Sequence, residues 1–261
     1  LHMGGAGHGE AEATFGAHGE PAELVIRQAA IGVALRIGER REHETVFHGV
    51  SSQLPMIAAK FAKAQHAPNS TILTIPGGIN SNSSHMSTYS SAGKEEWYDS
   101  EGIFPLEKVF DLSMRGKLDV AFLGGVQFDV NGNVNASVIG DYHHPKVRLP
   151  GGAGSAVLIP TVKKALIWRT KHDKKTFVEK VDFVTTRGNV HRIVTPLCTF
   201  QQVSGRLSVL EISPLSSKQE VMEQTGFYVD LTSVPIGEMP SPQQMQLLKK
   251  VDPQGLRYNE F

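Results

Sequence analysis

The chain has 261 residues, and its 26 Lys and Arg are balanced by 26 Asp and Glu. That balance provides no bulk field to draw in nucleic acid or an anionic membrane surface, and no apolar run approaches the roughly 18–20 residues of a membrane-spanning helix. A single cysteine, Cys198, excludes an internal disulfide framework and fits a reducing, cytoplasmic setting.

Residues 1–20, rich in Gly, Ala, Glu and His, read as a flexible leader without the apolar core of a signal peptide. One domain over residues 21–261 follows. Leu24, Ala30, Ile31, Ala34 and Leu35 fall at helical spacing and predict a helix over Ala22–Ile37. Glu44–Gly49 reads as a short strand, Leu54–Ala64 as a helix, and Thr71–Ile75 as a strand closed by Pro76-Gly77-Gly78. Pro105–Met114 is helical with Pro in the first turn, and Leu118–Leu123 is a buried strand. Asn131-Gly132 marks a hairpin turn.

Beyond it, Ala156–Ile159, Ala165–Arg169, Phe177–Thr185, Arg192–Phe200 and Leu207–Ile212 read as strands joined by short polar turns. Lys171–Lys175 and Ser204-Gly205 are the expected hairpin tips. Gln219–Gln224 is a short helix, and Ser241-Pro242 with Gln244 forms a capping-box start for another. This rhythm predicts an α/β fold: a mostly parallel sheet with covering helices, turning antiparallel in the second half.

Neither a GxxxxGK[ST] loop nor a GxGxxG turn between strand and helix occurs, so nucleotide cofactors find no support. His143-His144 is an adjacent pair, but no HExxH or paired-cysteine signature accompanies it and no metal site is expected. Cys198, inside the apolar VTPLCTF, reads as a small buried thiol rather than a nucleophile. The basic run Lys163–Lys180 reads as the solvated face of a hairpin, with contact to the phosphates of a nucleotide ligand as the other possibility. Two glycine clusters, Gly124-Gly125 and Gly151-Gly152-Gly154, let main chain approach a ligand without a Cβ in the way and suggest a cleft for a bulky one.

Four segments together resemble the class I CoA-transferase family, in particular the β subunit of the glutaconate CoA-transferase type. FHGVSSQLPMIAAKFAKAQHAPN (Phe47–Asn69) places Gly49 and Pro55 on that family's G…P spacing. ILTIPGGIN (Ile72–Asn80) lies where such subunits carry a strand ending in a Ser-Glu turn. GKLDVAFLGGVQFDVNGNVNASVIGD (Gly116–Asp141) is similar to the family's GNxN stretch, and VRLPGGAGSA (Val147–Ala156) resembles its LPGSGGA loop. The closing VDPQGLR (Val251–Arg257) extends the resemblance to roughly residues 22–257.

The resemblance implies a coenzyme A thioester as substrate, no permanently bound cofactor, and an α-type CoA-transferase subunit as partner in a heterodimer or heterotetramer, with no nucleic acid or membrane involved. It also implies a glutamate nucleophile that forms a thioester with CoA. At the matching place this chain has Ile75 or Pro76, so it resembles divergent members that lack the glutamate. The reaction implied is hydrolysis of a C–C bond or decarboxylation of an acyl-CoA. A transferase using a displaced carboxylate and a non-catalytic ligand-sensing subunit stay open.

The catalytic candidates are His85, Glu95 and Glu96. Main-chain N–H groups of Gly77, Gly78, Gly124 and Gly125, with Gln127, are the expected donors to a thioester oxyanion. Gly49, Asn80, Asn133, Asn135, Gly151, Gly152 and Gly154 are expected to shape the CoA or acyl pocket.

Overall fold

The computed structural model describes residues 43–49, 53–81 and 91–260. The leader, the helix expected over Ala22–Ile37, and His85 lie outside the described residues.

Five strands rich in Val, Ile, Leu and Phe run parallel at the centre: β1 (Thr45–His48), β2 (Thr71–Leu73), β5 (Val120–Leu123), β10 (Lys164–Trp168) and β11 (Val190–Val194). Antiparallel strands flank them: β3 (Gly78–Ile79) and β4 (Gly102–Ile103) beyond β2, β12 (Cys198–Val203) and β13 (Arg206–Ile212) beyond β11. The spatial order is β13-β12-β11-β10-β5-β1-β2-β3-β4, a nine-stranded sheet. Antiparallel pairing thus enters in the first half as well as the second. Two short hairpins stand apart, β6 (Gln127–Phe128) with β7 (Val134–Asn135) and β8 (Val138–Gly140) with β9 (Pro145–Arg148).

Alternation along the central strands divides the core into two layers. Val120 and Phe122 of β5 join Val46, Ile72 and Leu166 under helices α1 (Gln53–Gln65) and α5 (Pro242–Val251). Ala121 and Leu123 join Phe47, Leu73 and Ile167 on the opposite face, under α2 (Glu107–Met114), α3 (Ala153–Thr161) and α4 (Lys218–Gln224). The Ser241 capping box forms as expected: Ser241 Oγ accepts from Gln244 N at 3.2 Å, and Gln244 Oε1 accepts from Ser241 N at 2.9 Å. Ser204-Gly205 turns the β12–β13 hairpin with both residues at positive φ.

Three expected strands come out differently. Ala156–Ile159 lies inside α3, with Pro160 in its last turn. Phe177–Thr185 is irregular, tied to the β6–β7 hairpin by single bridges at Phe177 and Thr186. Arg192–Phe200 divides into β11 and β12 around a turn. Because β10 and β11 are parallel, Lys171–Lys175 belongs to a crossover connection and not to a hairpin tip.

Candidate functional site

The central strands β10, β5, β1 and β2 end side by side, and a cleft of about 540 Å³ opens at their C-terminal ends. This is where open α/β sheets leave room for ligands. Phe47 and Gly49 enter it from the end of β1, Ile75 from just past β2, Phe122 to Gly125 from β5, and Trp168, Arg169 and Thr170 from β10. Leu106 and Phe110 of the α2 region and Ala153, Gly154, Ser155 and Leu158 of α3 close the other side. The wall is mostly aromatic and aliphatic. Among the described residues that line it, Arg169 is the one charged residue, and there is no Asp, Glu, His or Cys.

Main chain supplies the remaining polarity. Neither Gly124 nor Gly125 donates its N–H to a backbone carbonyl among the described residues. α3 begins at the cleft, and its N-cap Gly152 offers no side-chain acceptor, so the first amides of the helix are uncapped and carry its partial positive charge. Ala153, the first residue of α3, holds φ at +41°, in the left-handed region that favours glycine. Ser155 Oγ donates to Gly124 O at 3.4 Å and bridges the two glycine segments.

Of the residues expected from the sequence, Gly49, Gly124, Gly125 and Gly154 line this cleft. Ile75, one of the two residues that the resemblance sets against the family glutamate, lines it too. The other glycines serve the chain's own packing. Gly77 N donates to Thr74 O at 3.0 Å and Gly78 N to Thr74 Oγ1 at 2.9 Å, which engages both expected oxyanion donors inside a tight turn. A Cβ on Gly77 or Gly78 would strike the Phe104 or the Glu96 carbonyl oxygen. Gly151 N donates to Ala136 O at 2.8 Å, and Gly152 packs against Ala156 and Thr185.

The expected polar groups are scaffolding as well. Asn135 Nδ2 donates to Gln127 Oε1 at 2.7 Å and to Val138 O at 2.6 Å, while Gln127 Nε2 reaches Asp182 Oδ2 at 3.2 Å. Both residues are buried, and these bonds hold the two side hairpins together. Asn133 N and Nδ2 both donate to the Asp129 carboxylate, at 3.2 and 3.0 Å, and shape the β6–β7 turn. Asn80 Oδ1 accepts from Lys63 Nζ at 2.8 Å and from Ile72 N at 2.9 Å, fixing the corner after β3. None of these four lines the cleft.

Glu95 and Glu96 sit on a 3₁₀ turn, Lys94–Trp97, away from the cleft lining. Glu96 is 1% exposed; its Oε2 accepts from Ser81 Oγ at 2.8 Å and lies 3.5 Å from Lys60 Nζ. Burial holds the Lys60 ammonium below its ordinary pKa, partly offset by Glu96. His48 lies in the same interior, fully buried, and burial with the Lys60 charge pushes its pKa down to about 3. Cys198 is buried, and burial raises its thiol pKa.

Sequence reasoning misses Arg169 as a cleft residue because the basic run reads as a hairpin face. The available signal is its place directly after the apolar strand Ala165–Trp168, where a parallel strand would deliver it to the ligand edge. Among the described residues no helix is long and apolar enough to cross a membrane, and no group of three or more His, Cys, Asp and Glu is placed to hold a metal ion.

Comparison with known proteins adds a family match: residues 41–230 correspond to Coenzyme A transferase. The chain is 30% identical over 230 residues to the B subunit of glutaconate CoA-transferase from Acidaminococcus fermentans, spanning 78% of this chain and 85% of that one. It is 30% identical over 214 residues to the B subunit of 3-oxoadipate CoA-transferase from Pseudomonas knackmussii, spanning 74% and 81%. Among solved structures the decarboxylase AibA/AibB shares the fold, with a TM-score of 0.81 at 24% identity over 92% of this chain and 98% of its counterpart.

Proposed function

This chain belongs to the coenzyme A transferase family, and from that premise we propose that it is the B-type subunit of a heteromeric enzyme that cleaves or decarboxylates an acyl-CoA. Ile75 carries the proposal. Where the resemblance sets the family's glutamate, the cleft wall holds a hydrocarbon, and no other described lining residue is a carboxylate, thiol or imidazole. An enzyme that exchanges CoA through a glutamyl thioester needs a nucleophile there. The proposed reactions do not.

In a decarboxylation the bond to the departing carboxylate breaks, CO₂ leaves, and the electron pair moves into the thioester as an enolate. In a hydrolytic C–C cleavage hydroxide adds to a ketone, the adjacent C–C bond breaks, and the pair again reaches the thioester oxygen. Both paths develop negative charge on one oxygen, and the open amides of Gly124 and Gly125 with the first turn of α3 are suited to receive it. One preorganised donor of this kind is worth about 3–4 kcal/mol in the transition state. The base that forms hydroxide or returns a proton to the enolate carbon comes, in this reading, from the partner chain. Two relatives named as B subunits and the AibA/AibB pairing support a two-chain enzyme.

A second reading, a CoA-transferase with a displaced carboxylate, is favoured by the 30% identity to two proteins named as transferases. Mass spectrometry of the purified complex with candidate acyl-CoAs, after borohydride or hydroxylamine trapping, separates the two. No adduct together with a cleaved or decarboxylated CoA product is the expected result. An adduct on Glu95, Glu96 or a partner carboxylate establishes the transferase instead.

A further inference from the structure

We propose that Trp97 is a positioning residue for the cleft: its indole N–H holds the turn after β2 so that Ile75 sets how long an acyl chain the cleft accepts. The proposal rests on the acyl-CoA reading of the cleft and names what selects among its substrates. Ile75 lines the cleft from the Thr74–Gly78 turn, with Pro76 beside it. The ends of that turn are closed by bonds between Thr74 and Gly78, and Phe104 N donates to Gly77 O at 2.9 Å. Its tip is held differently. Proline has no N–H to donate, the Ile75 amide meets no backbone carbonyl among the described residues, and Pro76 O accepts the indole N–H of Trp97.

The indole is carried by a fixed element. Trp97 ends the 3₁₀ turn Lys94–Trp97, whose Glu96 carbonyl lies so close to Gly78 that a Cβ there would come 2.0 Å from the oxygen. The Glu96 carboxylate fastens the same turn to Ser81 Oγ at 2.8 Å and faces Lys60 Nζ of α1 at 3.5 Å. Trp97 itself is 47% exposed, so burial of its ring explains little of its presence. The indole nitrogen is a donor only, and its bond ends on the residue next to Ile75. Ile75 is hydrocarbon and discriminates by contact and overlap alone. A methylene buried against such a wall is worth roughly fourfold in affinity, and one too many is rejected. A wall displaced by about 1 Å changes which chain fits.

Calorimetric titration with acetyl-, butyryl-, hexanoyl- and octanoyl-CoA, and with coenzyme A as reference, reads this directly. The protein and its variants would be expressed in the native host and purified with any subunit that accompanies them. Wild-type affinity is expected to climb about tenfold per two carbons and then to stop climbing at one step, where the acyl tip meets Ile75. Trp97→Phe keeps an aromatic ring and removes the donor. It is expected to change the affinity ratio across that step by about fivefold or more, while coenzyme A binding and the urea midpoint stay nearly unchanged. Ile75→Ala should change the same ratio. The double variant should do no more than Ile75→Ala alone, because Trp97 acts through Ile75. Four results would each overturn the proposal: a wild-type series without such a step, an unchanged ratio in Trp97→Phe, equal losses for every thioester and for coenzyme A, or fully additive effects in the double variant. If wild-type protein binds neither coenzyme A nor any of the thioesters, the acyl-CoA reading of the cleft falls and takes this inference with it.

Discussion

The Ser155 hydroxyl reaches across 3.4 Å to the Gly124 carbonyl, joining the first turn of α3 to the end of β5 on the floor of the cleft. The adjacent glycines at that joint differ in what surrounds them. A Cβ on Gly124 meets nothing within 4 Å, whereas one on Gly125 comes 2.5 Å from Val134 Cγ1 and 2.8 Å from the Phe128 ring. Gly125→Ala is therefore expected to destabilise the protein by about 1–3 kcal/mol through overpacking. Gly124→Ala should leave the urea midpoint nearly unchanged, because its methyl enters the open cleft, and on the proposed function it should weaken acyl-CoA binding about tenfold or more. Urea titrations and ligand titrations on the two variants check both halves.

Ala153 holds a left-handed backbone at +41° where a glycine would rest without strain. The cost of that conformation is released by Ala153→Gly, offset in part by the greater freedom of glycine in the unfolded chain. A net gain of roughly 0.5–1 kcal/mol is expected in chemical denaturation. A loss of stability would mean that the Ala153 methyl contributes more by packing than its backbone loses.

The buried Lys60 and Glu96 pair should respond steeply to single changes and mildly to a double one. Among the described residues, Lys60→Met leaves the Glu96 carboxylate with Ser81 alone, and Glu96→Leu leaves the ammonium unpaired. Each is expected to cost about 3 kcal/mol or more, while the double variant recovers much of that. Lys60→Met also removes the charge that depresses His48, so the His48 pKa should rise from about 3 while burial still keeps it below 6.5. Denaturation curves and imidazole NMR titration read the two effects separately.

Acid should weaken the fold through two histidines whose burial disfavours their charged form. Burial lowers His172 from 6.5 to about 4 and His191 from 6.5 to about 4, the latter helped by Arg192 and Lys164. The folded pKa lies below the unfolded one, so the unfolded chain binds more protons between these values and stability rises with pH there. The stabilisation is complete above pH 6.5 and is lost as pH falls through about 4. For His172 the shift corresponds to roughly 3 kcal/mol. His172 packs against Phe177 and Phe200, with Nδ1 2.9 Å from Thr195 Oγ1 and Nε2 3.1 Å from Thr225 Oγ1. His172→Gln should flatten the pH dependence of the urea midpoint between pH 6.5 and 4 by one histidine's share; an unchanged slope would contradict it.

The central strands and the α5 cap are legible in the sequence because their signals are local. Val120–Leu123 is a continuous apolar run, and Ser241-Pro242 with Gln244 forms a complete start signal within four positions. Ala156–Ile159 is not legible, since a short apolar run fits a buried strand or a helix equally, and Pro160 speaks against a helix that tolerates it only in its last turn. The site divides along a similar line. Gly124 and Gly78 look alike in sequence, but Gly78 lacks a Cβ to make room for the Glu96 carbonyl while Gly124 faces open space. Glycine reports that something comes close, and tertiary contact alone says whether that is ligand or chain. Arg169 stays hidden because its meaning depends on β10 pairing in parallel with β5 and β11.

The two margins of the sheet bear on how another chain can meet this one. β4 is two residues long, and at the opposite margin Ile212 of β13 already donates to Pro235 O and accepts from Gly237 N, at 3.0 and 2.8 Å. Leu207 N near the other end of β13 donates to Val130 O at 2.7 Å, so both ends of this edge are already engaged, which hinders a foreign strand from zipping along it. Association with a second chain is thereby steered away from sheet extension and toward side-chain contact across loops and helix faces.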